Sequence, residues 1–170
     1  MIFMFRKVLF PTDFSEGAYR AVEVFEKRNK MEVGEVILLH VIDEGTLEEL
    51  MDGYSFFYDN AEIELKDIKE KLKEEASRKL QEKAEEVKRA FRAKNVRTII
   101  RFGIPWDEIV KVAEEENVSL IILPSRGKLS LSHEFLGSTV MRVLRKTKKP
   151  VLIIKEVDEN ELAKTKGTSG

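Results

Sequence analysis

The chain has 170 residues, 42% hydrophobic and 36% charged, enough for one domain with a sizeable core. Lys and Arg number 30 against 31 Asp and Glu, a formal net charge of -1, so the clustered positive charge that drives binding to nucleic acid or to a membrane surface is missing. A count of 0 cysteines excludes a disulfide framework, a thiolate nucleophile and a cysteine metal site.

The opening run MIFMFRKVLF is apolar only briefly before Arg6 and Lys7, too short for the apolar region of a secretion signal. No stretch approaches the roughly 20 apolar residues of a membrane span. The expectation is a cytoplasmic protein. KVLF (7–10) is predicted as a buried strand ending at Pro11. SEGAYRAVEVFEKR then places Ala18, Ala21, Val22 and Phe25 at helical spacing. EVILLHVI (35–42) is the second strand, and the residues after it read as a loop. Leu65, Ile68, Leu72, Ala76, Leu80, Ala84, Val87 and Phe91 mark one long amphipathic helix over 61–93. VRTIIRF (96–102) is the third strand, and WDEIVKVAEEEN is a helix with Pro105 in its first turn. SLIIL (119–123) is the fourth strand, STVMRVLRKT a helix and PVLIIK (150–155) the fifth strand.

Near-continuous apolar strands alternating with helices predict an α/β fold, a doubly wound, five-stranded parallel sheet with helices on both faces. Residues 1–156 would form that single Rossmann-like domain, and 157–170 a polar, frayed tail. Ligands of such sheets sit beyond the carboxyl ends of the strands, where the winding direction reverses. With strand order 3-2-1-4-5 the reversal lies between strands 1 and 4, and the loops leaving them are PTDFSEG and PSRGKLSLSHEFLGS.

The second loop carries Gly127 and Gly137 and ends at a helix start near Ser138. Peptide N–H groups and the positive end of a helix make an anion site, glycines allow close approach, and Ser138 and Thr139 add hydroxyl donors. Phosphate is the natural guest. Equally open is a plain turn at Gly127 with Ser138 as helix cap. The loop is no P-loop, because Ile122 stands where the first glycine would be and Leu129 follows Lys128. Asp13-x-x-Glu16 fits a capping box, so Asp13 either caps the first helix, faces a ligand, or does both.

Together these residues resemble the universal stress proteins, which carry P-[TV]-D-x-S after strand 1, HV ending strand 2 and G-x2-G-x9-G-[ST] after strand 4. Here they read Pro11-Thr12-Asp13-Phe14-Ser15, His40-Val41, and Pro124-Ser125-Arg126-Gly127 followed by nine residues to Gly137-Ser138. The resemblance spans residues 5 to 156 and implies a fold related to the adenine-nucleotide α-hydrolases. It also implies binding of ATP, with Mg²⁺ riding on the phosphate oxygens rather than on protein ligands. Asp13, with the backbone of Pro11 and Thr12, would face ribose and phosphates, and the Val41 main chain would hold adenine. The turn of Pro124, Ser125, Arg126, Gly127 and Lys128, together with Gly137, Ser138, Thr139 and Val140, would cradle the phosphates. Pro124 departs from the pattern: it replaces the first glycine and has no N–H.

His40 and His133 have no Cys, His or carboxylate at metal-ligand spacing, and no catalytic constellation is evident. His133 is expected on the loop surface or over the phosphates. The aromatic stretch GYSFFYDN (53–60) reads as local packing, a lid over the nucleotide, or a docking patch for a protein partner. The apolar last strand has few gatekeeping charges, which invites pairing with a second copy through Val151 to Lys155. The resemblance implies the same homodimer. Three readings follow in order: an ATP-binding stress-response or signalling module, with at most slow ATP hydrolysis; a nucleotide-free dimeric stress scaffold, since another branch of the family lacks the loop glycines; and an adenylate-forming enzyme of the related fold, whose usual S-G-G-x-D-S loop is absent.

Overall fold

The computed structural model describes residues 5–55, 61–125 and 136–155. In chain order the elements are β1 (Phe5–Pro11), α1 (Glu16–Arg28), β2 (Val33–Asp43), α2 (Glu44–Ser55), α3 (Ala61–Ala90), β3 (Ala93–Gly103), α4 (Pro105–Glu115), β4 (Leu120–Pro124), α5 (Ser138–Lys146) and β5 (Val151–Ile154). The five strands form one sheet in the order β3-β2-β1-β4-β5, and every pairing is parallel. This is the doubly wound sheet expected, with its reversal between β1 and β4.

Each strand divides its side chains between two cores, as the period of two requires. Val8, Phe10, Val36, Leu38 and Ile122 face α1 and α3, where they meet Val22, Phe25, Leu80, Val87 and Phe91. Leu9, Ile37, Leu39, Ile121 and Leu123 face α4 and α5, against Ile109, Val112, Val140 and Val143. The first core centres on Phe91, whose ring lies 4.5 Å from that of Phe25 and 5.2 Å from that of Phe10. Both separations fall within the range of attractive aromatic pairs.

Several boundaries differ from expectation, and three of the differences have a visible cause. The segment after β2, read as a loop, is the helix α2; it buries Leu47 but leaves Leu50 exposed, so it lacks the apolar stripe that would have marked it. It begins with an Asx turn in which Asp43 Oδ1 accepts from the Gly45 N–H at 2.9 Å. The long helix ends at Ala90 rather than 93, because Arg92 takes a left-handed φ of 48°. That reversal starts β3 at Ala93, three residues early, and polar Asn95 joins the strand by donating to Glu35 across the sheet at 2.9 Å. Of the aromatic stretch 53–60, Gly53 to Ser55 close α2, and residues 56–60 lie outside the described part, as do 156–170.

Candidate functional site

The site is built where β1 and β4 part. At the end of β1, the Thr12 N–H donates to the Leu39 carbonyl at 2.8 Å, a last rung beyond Pro11. The chain then turns sharply. Asp13 Oδ1 accepts from the Ser15 N–H at 2.9 Å, and the Ser15 hydroxyl accepts from the Ala18 N–H at 3.2 Å. Ser15, not Asp13, therefore caps α1; the helix begins at Glu16, leaving Asp13 two residues outside the cap position. Asp13 instead shapes the turn at the mouth of the crevice, half-buried.

Phe14 holds a φ of 60°, rare for a bulky side chain. Three contacts pin it there. Its N–H donates to Thr12 Oγ1 at 3.2 Å, its ring lies 4.3 Å from the His40 ring, and the Lys79 ammonium sits 5.3 Å from its ring centroid. His40 Nδ1 approaches the Thr12 carbonyl at 2.8 Å. A carbonyl only accepts, so Nδ1 carries the proton in this arrangement. Neither Phe14 nor His40 was assigned a role from sequence beyond the His-Val pair itself. Their function becomes visible only once the register of β1 on β2 is known.

Across the crevice, the Ser125 N–H donates to the Ile154 carbonyl at 2.9 Å and the Ser125 carbonyl accepts from the Gly137 N–H at 3.0 Å. Because Ser125 turns its N–H to β5, the nitrogen of Pro124 faces the β1 side, where proline offers no donor. α5 starts with Gly137 as its cap, in extended conformation and with no side-chain cap bond. Ser138 is thus the first helical residue and not the cap. The Met141 N–H is the first to reach back, to the Gly137 carbonyl at 3.0 Å. The N–H groups of Ser138, Thr139 and Val140 therefore have no acceptor within the helix and point out of its positive end.

The structure thus brings Pro11, Thr12, Asp13, Val41, Pro124, Ser125, Gly137, Ser138, Thr139 and Val140 to one edge of the sheet. The expected contributions of Arg126, Gly127, Lys128 and His133 fall outside the described residues. A shallow groove of about 360 Å³ lies between α3 and Phe102 near the end of β3, lined by Leu65, Lys66, Lys69, Glu70 and Lys73.

A charged cluster around Arg97 sits at the opposite end of the sheet. Hydrogen bonding from Arg97 holds the Glu116 carboxyl below its ordinary range, helped by the charges of Arg97 and Lys7. The same bond, with a second that Arg97 donates to Glu35, raises Arg97. Among the described residues no group of three or more His, Cys, Asp or Glu is placed to hold a metal ion, and no helix is long and apolar enough to cross a membrane.

Residues 4–155 match the model of the Universal stress protein family. The chain belongs to that family. The universal stress protein MJ0577 of Methanocaldococcus jannaschii is 40% identical over 161 residues, covering 91% of this chain and 98% of its own. The solved structure of MJ0577 superposes with a TM-score of 0.72 at 38% identity, over 92% of this chain and 99% of that one. The crystal structure of the hypothetical protein PH0823 is 88% identical, covers 91% of this chain and 99% of its own, and gives a TM-score of 0.77. The universal stress protein of Archaeoglobus fulgidus solved in complex with dAMP is 20% identical, covers 91% of this chain and 100% of its own, and at a TM-score of 0.51 shares the fold.

Proposed function

We propose that this universal stress protein binds ATP at the β1/β4 edge and acts as a nucleotide-dependent stress-response or signalling module. The observation that carries the reading is the start of α5, where the backbone N–H groups of Ser138, Thr139 and Val140 have no acceptor within the helix and lie at the same edge of the sheet as the turn of Asp13. Donors fixed in this way suit a phosphate chain, and the helix dipole favours its charge. The Ser138 and Thr139 hydroxyls add donors beside them. In this reading Asp13, with the main chain of Pro11 and Thr12, would face the ribose and phosphates, and the Val41 main chain would hold the adenine. With no carboxylate cluster among the described residues, Mg²⁺ would be carried by phosphate oxygens and would supply charge neutralisation only.

A second reading, the nucleotide-free dimeric scaffold, is favoured by Pro124, which removes one donor from the crevice. In both readings the chain forms a homodimer through Val151 to Lys155. Thermal melting separates them. Mg-ATP at a hundredfold excess over its dissociation constant should stabilise the fold by about 2.7 kcal/mol. A melting temperature that millimolar ATP and ADP leave unmoved would select the scaffold.

A further inference from the structure

In a parallel ladder, alternate residues of one strand turn both N–H and C=O toward the same neighbour. Leu39 pairs with Pro11 and receives the Thr12 N–H, so Val41, two residues on, also faces the β1 side. If the ladder continued by one rung, the Val41 N–H would donate to the Thr12 carbonyl and the Val41 carbonyl would accept from the Phe14 N–H. Neither bond is formed, and both groups have side-chain partners instead. The Thr12 carbonyl is held by His40 Nδ1 at 2.8 Å, and the Phe14 N–H is held by Thr12 Oγ1 at 3.2 Å. The left-handed φ of Phe14, 60°, then carries the chain away from β2.

We propose that His40 is a positioning residue: by occupying the Thr12 carbonyl, with Thr12 Oγ1 occupying the Phe14 N–H, it ends the ladder one rung early and leaves the Val41 N–H and C=O as a donor–acceptor pair facing the crevice. Such a pair selects among bases. Adenine presents an amino donor beside a ring-nitrogen acceptor, which matches a carbonyl and an N–H side by side. Guanine presents the O6 acceptor where the amino donor would be, which sets two acceptors against each other. His40 would thus set base specificity without touching the base. The base-selection half rests on the ATP-binding reading; the ladder half does not.

The test uses the full chain without ligand, and its first readout is the amide hydrogen exchange of Val41. In the wild type, Val41 should exchange about tenfold or more faster than Leu39, its laddered neighbour on the same side. In His40→Ala the Thr12 carbonyl is released, the missing rung closes, and Val41 should slow by about tenfold. His40→Asn, whose amide nitrogen falls close to the position of Nδ1, should retain the wild-type exchange. The second readout is nucleotide selectivity: the preference for ATP over GTP should shrink about fivefold or more in His40→Ala and persist in His40→Asn. A Val41 amide as protected as Leu39 in the wild type overturns the proposal, and so does unchanged Val41 exchange in a folded His40→Ala. If His40→Ala fails to fold, the wild-type and His40→Asn exchange rates still decide. Binding of neither nucleotide by the wild type would instead defeat the ATP reading, with the exchange result standing on its own.

Discussion

The Gly137 N–H donates to the Ser125 carbonyl at 3.0 Å, fastening the start of α5 to the end of β4. What Gly137 contributes is clearance, since its φ of -60° and ψ of 153° are open to any residue. Replacing Gly137 with valine should therefore leave the chain folded while placing a branched side chain at the rim of the proposed phosphate site. ATP affinity should fall about tenfold or more, a loss of about 1.4 kcal/mol, and adenosine should be affected much less. Calorimetric titration of both ligands checks this; equal losses would mean structural damage.

Gly34 has a different reason to be glycine. A Cβ there would lie 2.4 Å from the Arg6 carbonyl oxygen, a backbone atom of the neighbouring strand that cannot swing aside. Gly34→Ala should force the first rungs of β1 and β2 apart and cost about 1–3 kcal/mol, the range for overpacked sites. Urea unfolding should show a lower midpoint with an unchanged slope. A variant as stable as the wild type would mean that the strands separate freely at this end.

The fold was legible because every strand but one is a short apolar run and the long helix repeats its apolar residues at threes and fours. What was not legible depended on partners distant in sequence. Asn95 and Lys94 look like loop residues until β2 supplies Glu35 and the rest of the ladder. The helix α2 buries Leu47 but carries two glycines, Gly45 and Gly53, so neither propensity nor pattern announced it. At the site, Asp13-x-x-Glu16 matched a capping box, yet Ser15 captures the cap because its hydroxyl stands directly before the first turn. The roles of His40 and Phe14 follow from which rung of β2 lies beside Thr12, a relationship no local pattern encodes.

The Arg97–Glu116 pair, backed by Lys7 at 3.5 Å, fastens the end of α4 to the amino end of the sheet. Hydrogen bonding from Arg97 lowers the folded-state pKa of Glu116 from its ordinary value of 4.5. A carboxylate depressed in the folded state adds stability above its unfolded pKa and loses it as pH falls through the folded one. Glu116→Gln should therefore be less stable near pH 7, by about 1 kcal/mol or less for a pair that water still reaches. The gap should close as pH drops below about 4. Chemical denaturation of both proteins across that range checks the sign; a gap that widens in acid would contradict it.

The last strand offers the sharpest test of association. The Ile121 N–H donates to the Pro150 carbonyl and the Ser125 N–H to the Ile154 carbonyl, so the even-numbered residues of β5 face β4. Alternation turns the N–H and C=O of Val151 and Ile153 outward, to an edge with no further strand among the described residues. Proline at Ile153 would remove an outward donor while sparing every bond to β4. Ile153→Pro should therefore remain a cooperatively folded chain and run as a monomer in light scattering, where the wild type should run as a dimer. Proline placed instead at Leu152 would delete a donor to β4 and should destabilise the sheet itself. A wild type that is monomeric at micromolar concentration would remove the edge-pairing model, and a dimer that survives Ile153→Pro would move the interface to another face.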